Sequence, residues 1–370
     1  LTRPSNVLGG RAMRIAYNED TLEGFLDEAI NVSPETPVLI DKFLEGAAEV
    51  DVDAISDGHH VVIGGIMEHI EYAGVHSGDS ACVTPPHTLS ETVKGAIRDQ
   101  TKRIASELSV KGLLNIQFAI KDETVYVLEV NPRASRTVPF ISKATGVPLA
   151  ALAAKVMMGC SLKDLGFTEE KTVKHFSVKE SVLPFSRFAG VDITLGPEMK
   201  STGEVMGIDS SFGVAFIKSQ FAAGQDLPKE GNVFVSVKDS DKPFVVDIAK
   251  VLVKLGYNVI ATKGTYETLK NEDISCERVN KIGEGPNDIL ERILGGEIHL
   301  VINTPSGPKS QMDVRPIMSG AVMRGIPCIT TLQGAKAAVH GLKFLKTDDL
   351  QVKCIQDWVD QDIKPLVKTS

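Results

Sequence analysis

A chain of 370 residues with 42% hydrophobic and 24% charged residues can bury sizeable cores, and its length favours two or three domains over one. A formal net charge of −8 excludes a general binder of nucleic acid or anionic membrane and leaves only local anion pockets. The five cysteines are widely spaced without a CxxC pair, which predicts a reducing cytoplasm and excludes disulfides or zinc; no apolar run approaches the roughly 20 residues of a membrane span, since the Ala-rich stretch from Pro148 to Met158 is broken by Lys155.

The opening residues LTRPSNVLGG carry neither an initiator Met nor a signal layout, and they predict a piece cut from a longer chain. From 38 to 67 the pattern is strand-like, with VLIDKF, then the strict alternation EVDVDAIS, then HVVIGGIM after the turn signal Asp57-Gly58. An antiparallel sheet follows from that pattern. A helix is predicted from about Leu89 to Leu108, with Thr88 and Glu91 spaced as a capping box. Two strands, Leu113–Ile120 and Thr124–Val130, are joined by the polar turn Lys121-Asp122-Glu123. Between 147 and 225 come an Ala-rich helix, a strand around FSVKESVLPF, and a helix from Ser211 to Ala222.

The polar, turn-rich stretch Ala223–Gly231 marks a domain boundary, giving units 1–225 and 226–370. Beyond it, apolar runs alternate with helical patterns: NVFVSV, a helix to Leu255 closed by Gly256, NVIAT, IHLVIN, a helix near 312–324, and PCIT. Continuously apolar strands alternating with helices predict a small doubly wound α/β domain with a parallel sheet.

The segment NIQFAIKDETVYVLEVNPRASRT carries the most chemistry. A hairpin about Asp122-Glu123 would set Gln117 beside Glu129, with Asn131 on the same face and Ile116, Phe118, Tyr126 and Leu128 on the other. Three oxygen donors on one patch suit Mg²⁺ or Mn²⁺ bridging to nucleotide phosphates, and Arg133 and Arg136 follow at once to bind phosphate oxygens. Such a set fits phosphoryl transfer, whereas a solvated edge with surface ion pairs is the plainer alternative. Arg3 ahead of Gly9-Gly10, and the polar loop MEHIEYAGVHSGDS with Glu68, Glu71, His76 and Asp79, are further candidates.

Taken together, RPSNVLGGRAM, EHIEYAGVHSGDSA, GLLNIQFAI, EVNPRASRTVPFISKATGVPLA, SVKESVLPF and GPEMKSTGEVMG closely resemble the carbamate-phosphorylating half of the carbamoyl phosphate synthetases. The resemblance implies an α+β ATP-grasp fold, incomplete at its N-terminus, and an ATP-dependent ligase making carbamoyl phosphate for arginine and pyrimidine biosynthesis. It implies Mg²⁺ or Mn²⁺, with K⁺ as a further ion, and as partners the remainder of a large subunit and a glutaminase small subunit. Arg3 would contact phosphate; Lys42, Leu44 and Glu49 would lie near the adenosine. Gly74, Val75, His76 and Ser77 would form the loop closing on the nucleotide. Gln117, Glu129 and Asn131 would be the metal ligands, with Arg133 stabilising the transferred phosphoryl group.

An ornithine site between domains would use Glu71, Asp79, Glu180 and Thr330. For the second domain the resemblance implies a methylglyoxal-synthase-like fold binding a nucleotide monophosphate such as UMP through Lys242, Thr262, Thr265, Lys281 and Asn303. Pro305 stands where that pattern carries a hydroxyl, and methylglyoxal formation itself is not expected around Lys238-Asp239-Ser240. Two other readings compete: the 370 residues alone as a non-catalytic effector-binding module, and a different ATP-grasp ligase, which would leave the appended α/β domain unexplained.

Overall fold

The computed structural model describes residues 1–5, 11–16, 18–32, 36–185, 195–304 and 307–359. A small antiparallel pair opens the chain, β1 (Thr2–Pro4) against β2 (Val38–Ile40), with α1 (Glu19–Val32) between them in sequence. The strand predicted at 38 thus pairs with the N-terminus and not with the large sheet.

That sheet contains β3 (Ala48–Asp57), β4 (Val61–Tyr72), β5 (Cys82–Thr84), β6 (Lys111–Lys121), β7 (Thr124–Asn131), β8 (Phe176–Val182) and β9 (Gly203–Asp209), in the order β7-β6-β3-β4-β5-β8-β9. All its pairings are antiparallel. One face buries Val50, Val52, Ile116 and Phe118 under α2 (Glu91–Glu107). The opposite face is split. Its far end, with Ile55 and Met67, is covered by α3 (Val138–Thr145) and α4 (Leu149–Met157), while its near end opens into a cavity.

Two local expectations need correction. Helix α2 is capped by Ser90, whose hydroxyl accepts from the Val93 N–H, and not by Thr88. The Thr88 amide and hydroxyl instead bond the buried Glu68 carboxylate, a tertiary partner that local spacing does not reveal. In the β6–β7 hairpin, Gln117 does pair with Glu129 and Asn115 with Asn131, but a bulge shifts the register so that Phe118 faces Val127. Tyr126, paired with Ala119, therefore shares the Gln117 side, and Leu128 lines the cavity; neither lies with Phe118 as strict alternation predicts.

After β9, α5 (Phe212–Ala222) leads to the second sheet: β10 (Asn232–Val237), β11 (Asn258–Thr262), β12 (Glu277–Val279), β13 (Leu300–Thr304) and β14 (Cys328–Ile329). It is parallel throughout, in the order β12-β11-β10-β13-β14. Its helices are α6 (Lys242–Lys254), α7 (Lys263–Asn271), α8 (Ile289–Leu294), α9 (Gly307–Met323) and α10 (Leu332–Thr347), with a last turn α11 (Ile355–Trp358). Apolar residues cover both faces, as a doubly wound sheet requires. Order reverses beside β10, which makes its junction with β13 the switch point of the sheet.

The two sheets share a core through α5 and α10. A Cβ on Gly341 would stand 2.3 Å from Ile217 Cδ1 and 2.7 Å from the Gly213 carbonyl oxygen, so these helices approach closely only because glycines line the crossing. Ile70, Val83 and Val178 of the first sheet join Phe216, Ala335 and Leu342 in one apolar cluster. Among the described residues no single helix is long and apolar enough to cross a membrane.

Candidate active site and effector cavities

The near end of the antiparallel sheet forms the floor of a cavity of about 820 Å³. Alternation on β3 points Glu49, Asp51 and Asp53 to this side; register sets Asp51 opposite Gln117 and Asp53 opposite Asn115. Gln117, Glu129, Asn131 and Arg133 line it together, with Arg3, Glu49, Gly74, Val75, His76 and Ser77. Lys42 and Leu44, in the turn after β2, are not among the lining residues, where Leu39 stands instead.

Within this group the Gln117 Nε2 donates to Ser77 Oγ at 3.1 Å, its carbonyl oxygen having no partner among the described residues, and Arg133 Nη2 donates to Asn131 Oδ1 at 3.2 Å. Glu129 has no hydrogen-bond partner among the described residues. One carboxylate and two amide oxygens are hard donors of the kind Mg²⁺ accepts, once Arg133 turns from Asn131 toward an arriving phosphate. No cluster of three or more His, Cys, Asp or Glu side chains is arranged for a metal among the described residues, so a cation here would depend on the amides.

Asp53, fully buried, organises the loop that carries the arginines. It accepts from Asn115 Nδ2 (3.0 Å), Ser135 Oγ (2.7 Å) and Thr137 Oγ1 (2.6 Å). Burial raises its pKa to about 6 despite those three bonds. Glu49 is pushed up to about 7, first by burial, with the nearby His69 opposing. His69 bridges the acidic floor, 3.2 Å from Asp51 Oδ2 and 3.9 Å from Glu49 Oε1. Arg3 bonds Asp41 at 3.2 Å at the opposite wall. Burial lowers the pKa of His76, whose Nδ1 accepts from the Gly78 N–H at 3.0 Å.

A second cavity of about 230 Å³ lies between the two sheets. Glu71, Asp79, Glu180 and Thr330 all line it, as do Gln220 and Thr331. Glu71 accepts from Ser80 Oγ and the Ala81 N–H at 2.7 Å each, and Glu180 accepts from Gln220. Burial raises both pKa values, and Glu71 raises that of Glu180 further. Two carboxylates crowded in this way favour a cationic guest.

At the carboxyl ends of the parallel strands, Thr262 Oγ1 lies 2.9 Å from Ser236 Oγ, and Asn303 pairs with Ser236 in the ladder. Thr265 Oγ1 accepts from the Val237 N–H at 3.2 Å. Lys242 stands beside Gly264, where an added Cβ would meet its Nζ at 2.9 Å, and its ammonium bonds Asp239 at 2.7 Å. Lys281 is exposed after β12, toward the sheet edge. Pro305, like Gly9 and Gly10, lies outside the described residues.

The family model described as "Carbamoyl-phosphate synthase L chain, ATP binding domain" matches residues 1–165, and that of the "MGS-like domain" matches 244–330. A carbamoyl phosphate synthase large chain, C-terminal section, of Aquifex aeolicus is 51% identical over 94% of this chain and 67% of its own length. The chain belongs to the carbamoyl phosphate synthase large-chain family. Other members include the large chain of Methanothermobacter thermautotrophicus, 54% identical over 97% of this chain and 34% of its own length, and the C-terminal section of Methanocaldococcus jannaschii, 52% identical over 98% and 60%. The chain thus spans about a third of the complete large chains it matches. Among solved structures, the biotin carboxylase domain of Hydrogenobacter thermophilus 2-oxoglutarate carboxylase aligns over 60% of this chain and 55% of its own, with a TM-score of 0.48 and 15% identity. The two-part fold class holds: an α+β ATP-binding domain, then a doubly wound α/β domain.

Several residues at these sites of the large-chain segment escaped sequence reasoning. Asp51 and Asp53 were visible in the alternation EVDVDAIS as an acidic stripe. Asn115, His69, Ser135, Thr137 and Glu204 enter through cross-strand and loop contacts that no local pattern marks.

Proposed function

We propose that this chain carries the ATP-dependent phosphorylation of carbamate within a glutamine-dependent carbamoyl phosphate synthase, supplying arginine and pyrimidine biosynthesis in the cytoplasm. The observation that carries this reading is the convergence of Gln117, Glu129 and Asn131 on one cavity wall beside Arg133 and the Gly74–Ser77 loop, in a chain of this family. Bound Mg²⁺, or Mn²⁺ in its place, would neutralise phosphate charge, with K⁺ as a further ion. Glu129 and the two amide oxygens hold the cation, while Arg133 and Arg3 bind phosphate oxygens and the loop encloses the nucleotide. Arg133 favours the transition state because its charge is fixed where negative charge spreads over the transferred group. The remainder of the large chain and a glutaminase small subunit would complete the assembly.

The test is ATP synthesis from carbamoyl phosphate and ADP by the assembled enzyme. Glu129→Gln is expected to lower kcat by about 10³-fold. Activity retained within tenfold would refute the assignment.

A second, compatible reading assigns effector roles to the other two sites. The cavity of Glu71, Asp79, Glu180 and Thr330 suits an amino acid with two amino groups, such as ornithine. The strand-end group of Lys242, Thr262, Thr265 and Asn303, with Lys281, suits the phosphate of a UMP-like monophosphate. Calorimetry with each ligand separates them: heat from UMP without heat from ATP would favour a purely regulatory module.

A further inference from the structure

Lys179 of β8 is a buried charge that the proposed chemistry leaves without a role. It is 1% exposed, and its ammonium donates to the Ser77 carbonyl at 3.1 Å and the Ser80 carbonyl at 2.8 Å. The nearest carboxylate, Glu204, is 3.7 Å away. Burying an ammonium is costly, so its retention here calls for a compensating constraint on its neighbours. Burial pulls its pKa down, but the neighbouring Cys82 and then the acids Glu204, Asp51 and Glu180 more than offset this, so that it lies above the ordinary lysine value.

Both acceptors belong to the segment between β4 and β5, and they flank Gly78. That segment has other anchors: Ser181 Oγ and Ser201 Oγ donate to the Gly78 carbonyl at 2.8 Å, and Asp79 accepts from the Lys200 and Ser201 amides at 2.8 Å. Lys179 differs in holding the segment at two points, the Ser77 and Ser80 carbonyls, with one charged group. On the cavity side of the same segment, the Ser77 hydroxyl accepts from Gln117, which pairs with Glu129 across the β6–β7 hairpin. On the inter-sheet side, Ser80 donates to Glu71.

We propose that Lys179 is a positioning residue for nucleotide binding: by clamping the carbonyls of Ser77 and Ser80 it fixes the Gly74–Ser77 loop over the phosphates and sets the orientation of Gln117. This rests on the nucleotide reading of the large cavity. Lys179 itself touches neither substrate nor cation. Losing the clamp leaves two buried carbonyls unsatisfied and lets the loop move, so the penalty falls on the substrate that the loop encloses.

The test uses the assembled enzyme making ATP from carbamoyl phosphate and MgADP. Lys179→Met is expected to raise the KM for MgADP about tenfold while the KM for carbamoyl phosphate stays within about twofold. Ser77→Ala should raise the MgADP KM in the wild type, but add little in a Lys179→Gln background, because both act through one loop. Lys179→Gln keeps an N–H donor and serves if the Met variant does not fold. Equal rises in both KM values, or additive effects of Ser77→Ala and Lys179→Gln, would overturn the proposal. A wild-type enzyme that makes no ATP would instead defeat the nucleotide reading on which it stands.

Discussion

The two sheets present polar groups in different ways. In the antiparallel sheet, Glu49, Asp51 and Asp53 project sideways from alternate positions of one strand, and Gln117 and Glu129 meet them across neighbouring strands. In the parallel sheet, β10, β11 and β13 are apolar along their middles, and the polar residues Ser236, Thr262 and Asn303 gather toward their carboxyl ends. A side-on site depends on register and on the ladder beneath it, whereas an end-on site depends on loops and helix starts above a fixed core. Substitutions on the first should therefore disturb alignment, and those on the second should disturb ligand affinity alone.

The sharpest way to separate them begins with Asp53. Asp53→Ala removes the acceptor of Asn115, Ser135 and Thr137, and should lower kcat for ATP synthesis about 100-fold by displacing Arg133; an unchanged kcat would break the side-on account. Lys242→Ala should weaken binding of a nucleotide monophosphate about tenfold in calorimetry, with kcat for ATP synthesis without effector unaltered. Between the sheets, Gly341→Ala forces a methyl against Ile217 and the Gly213 carbonyl, and should cost about 1–3 kcal/mol in thermal or denaturant unfolding.

The smallest effect concerns pH. Glu49 binds its proton more tightly folded, with a pKa near 7, than unfolded, with an ordinary value of 4.5. Its contribution to stability is present in full below pH 4.5 and is lost as pH rises through about 7. Glu49→Gln removes this loss, so its Tm relative to wild type should rise by on the order of a few degrees between pH 5 and pH 8. Parallel Tm curves would show that burial does not perturb Glu49 in this way.

The same contrast explains what could be read from the sequence. The hairpin about Asp122-Glu123 was legible because two turn residues with positive φ join two runs of fixed period, and counting back from them sets Gln117 beside Glu129. The bulge that turns Leu128 toward the cavity breaks that count, and no local signal announces it. The parallel strands were legible as apolar runs, whereas α7, α8 and α10 went unread, although the capping box of Asp288 and Glu291 marks the start of α8 and Thr331 caps α10. Glu68 shows the limit most clearly: it is buried by the amides of His87 and Thr88 and by Gln333, partners up to 265 residues away.

Direct observation of cation binding bears most closely on the central claim. Mn²⁺ titrated into the assembled enzyme with ADP present can be followed by electron paramagnetic resonance. Glu129→Gln and Gln117→Ala should each weaken the bound signal at least about tenfold, since the first removes the only negative charge of the donor set and the second deletes one of its amide oxygens. Mn²⁺ affinity equal to that of the wild type in both variants would contradict the claim.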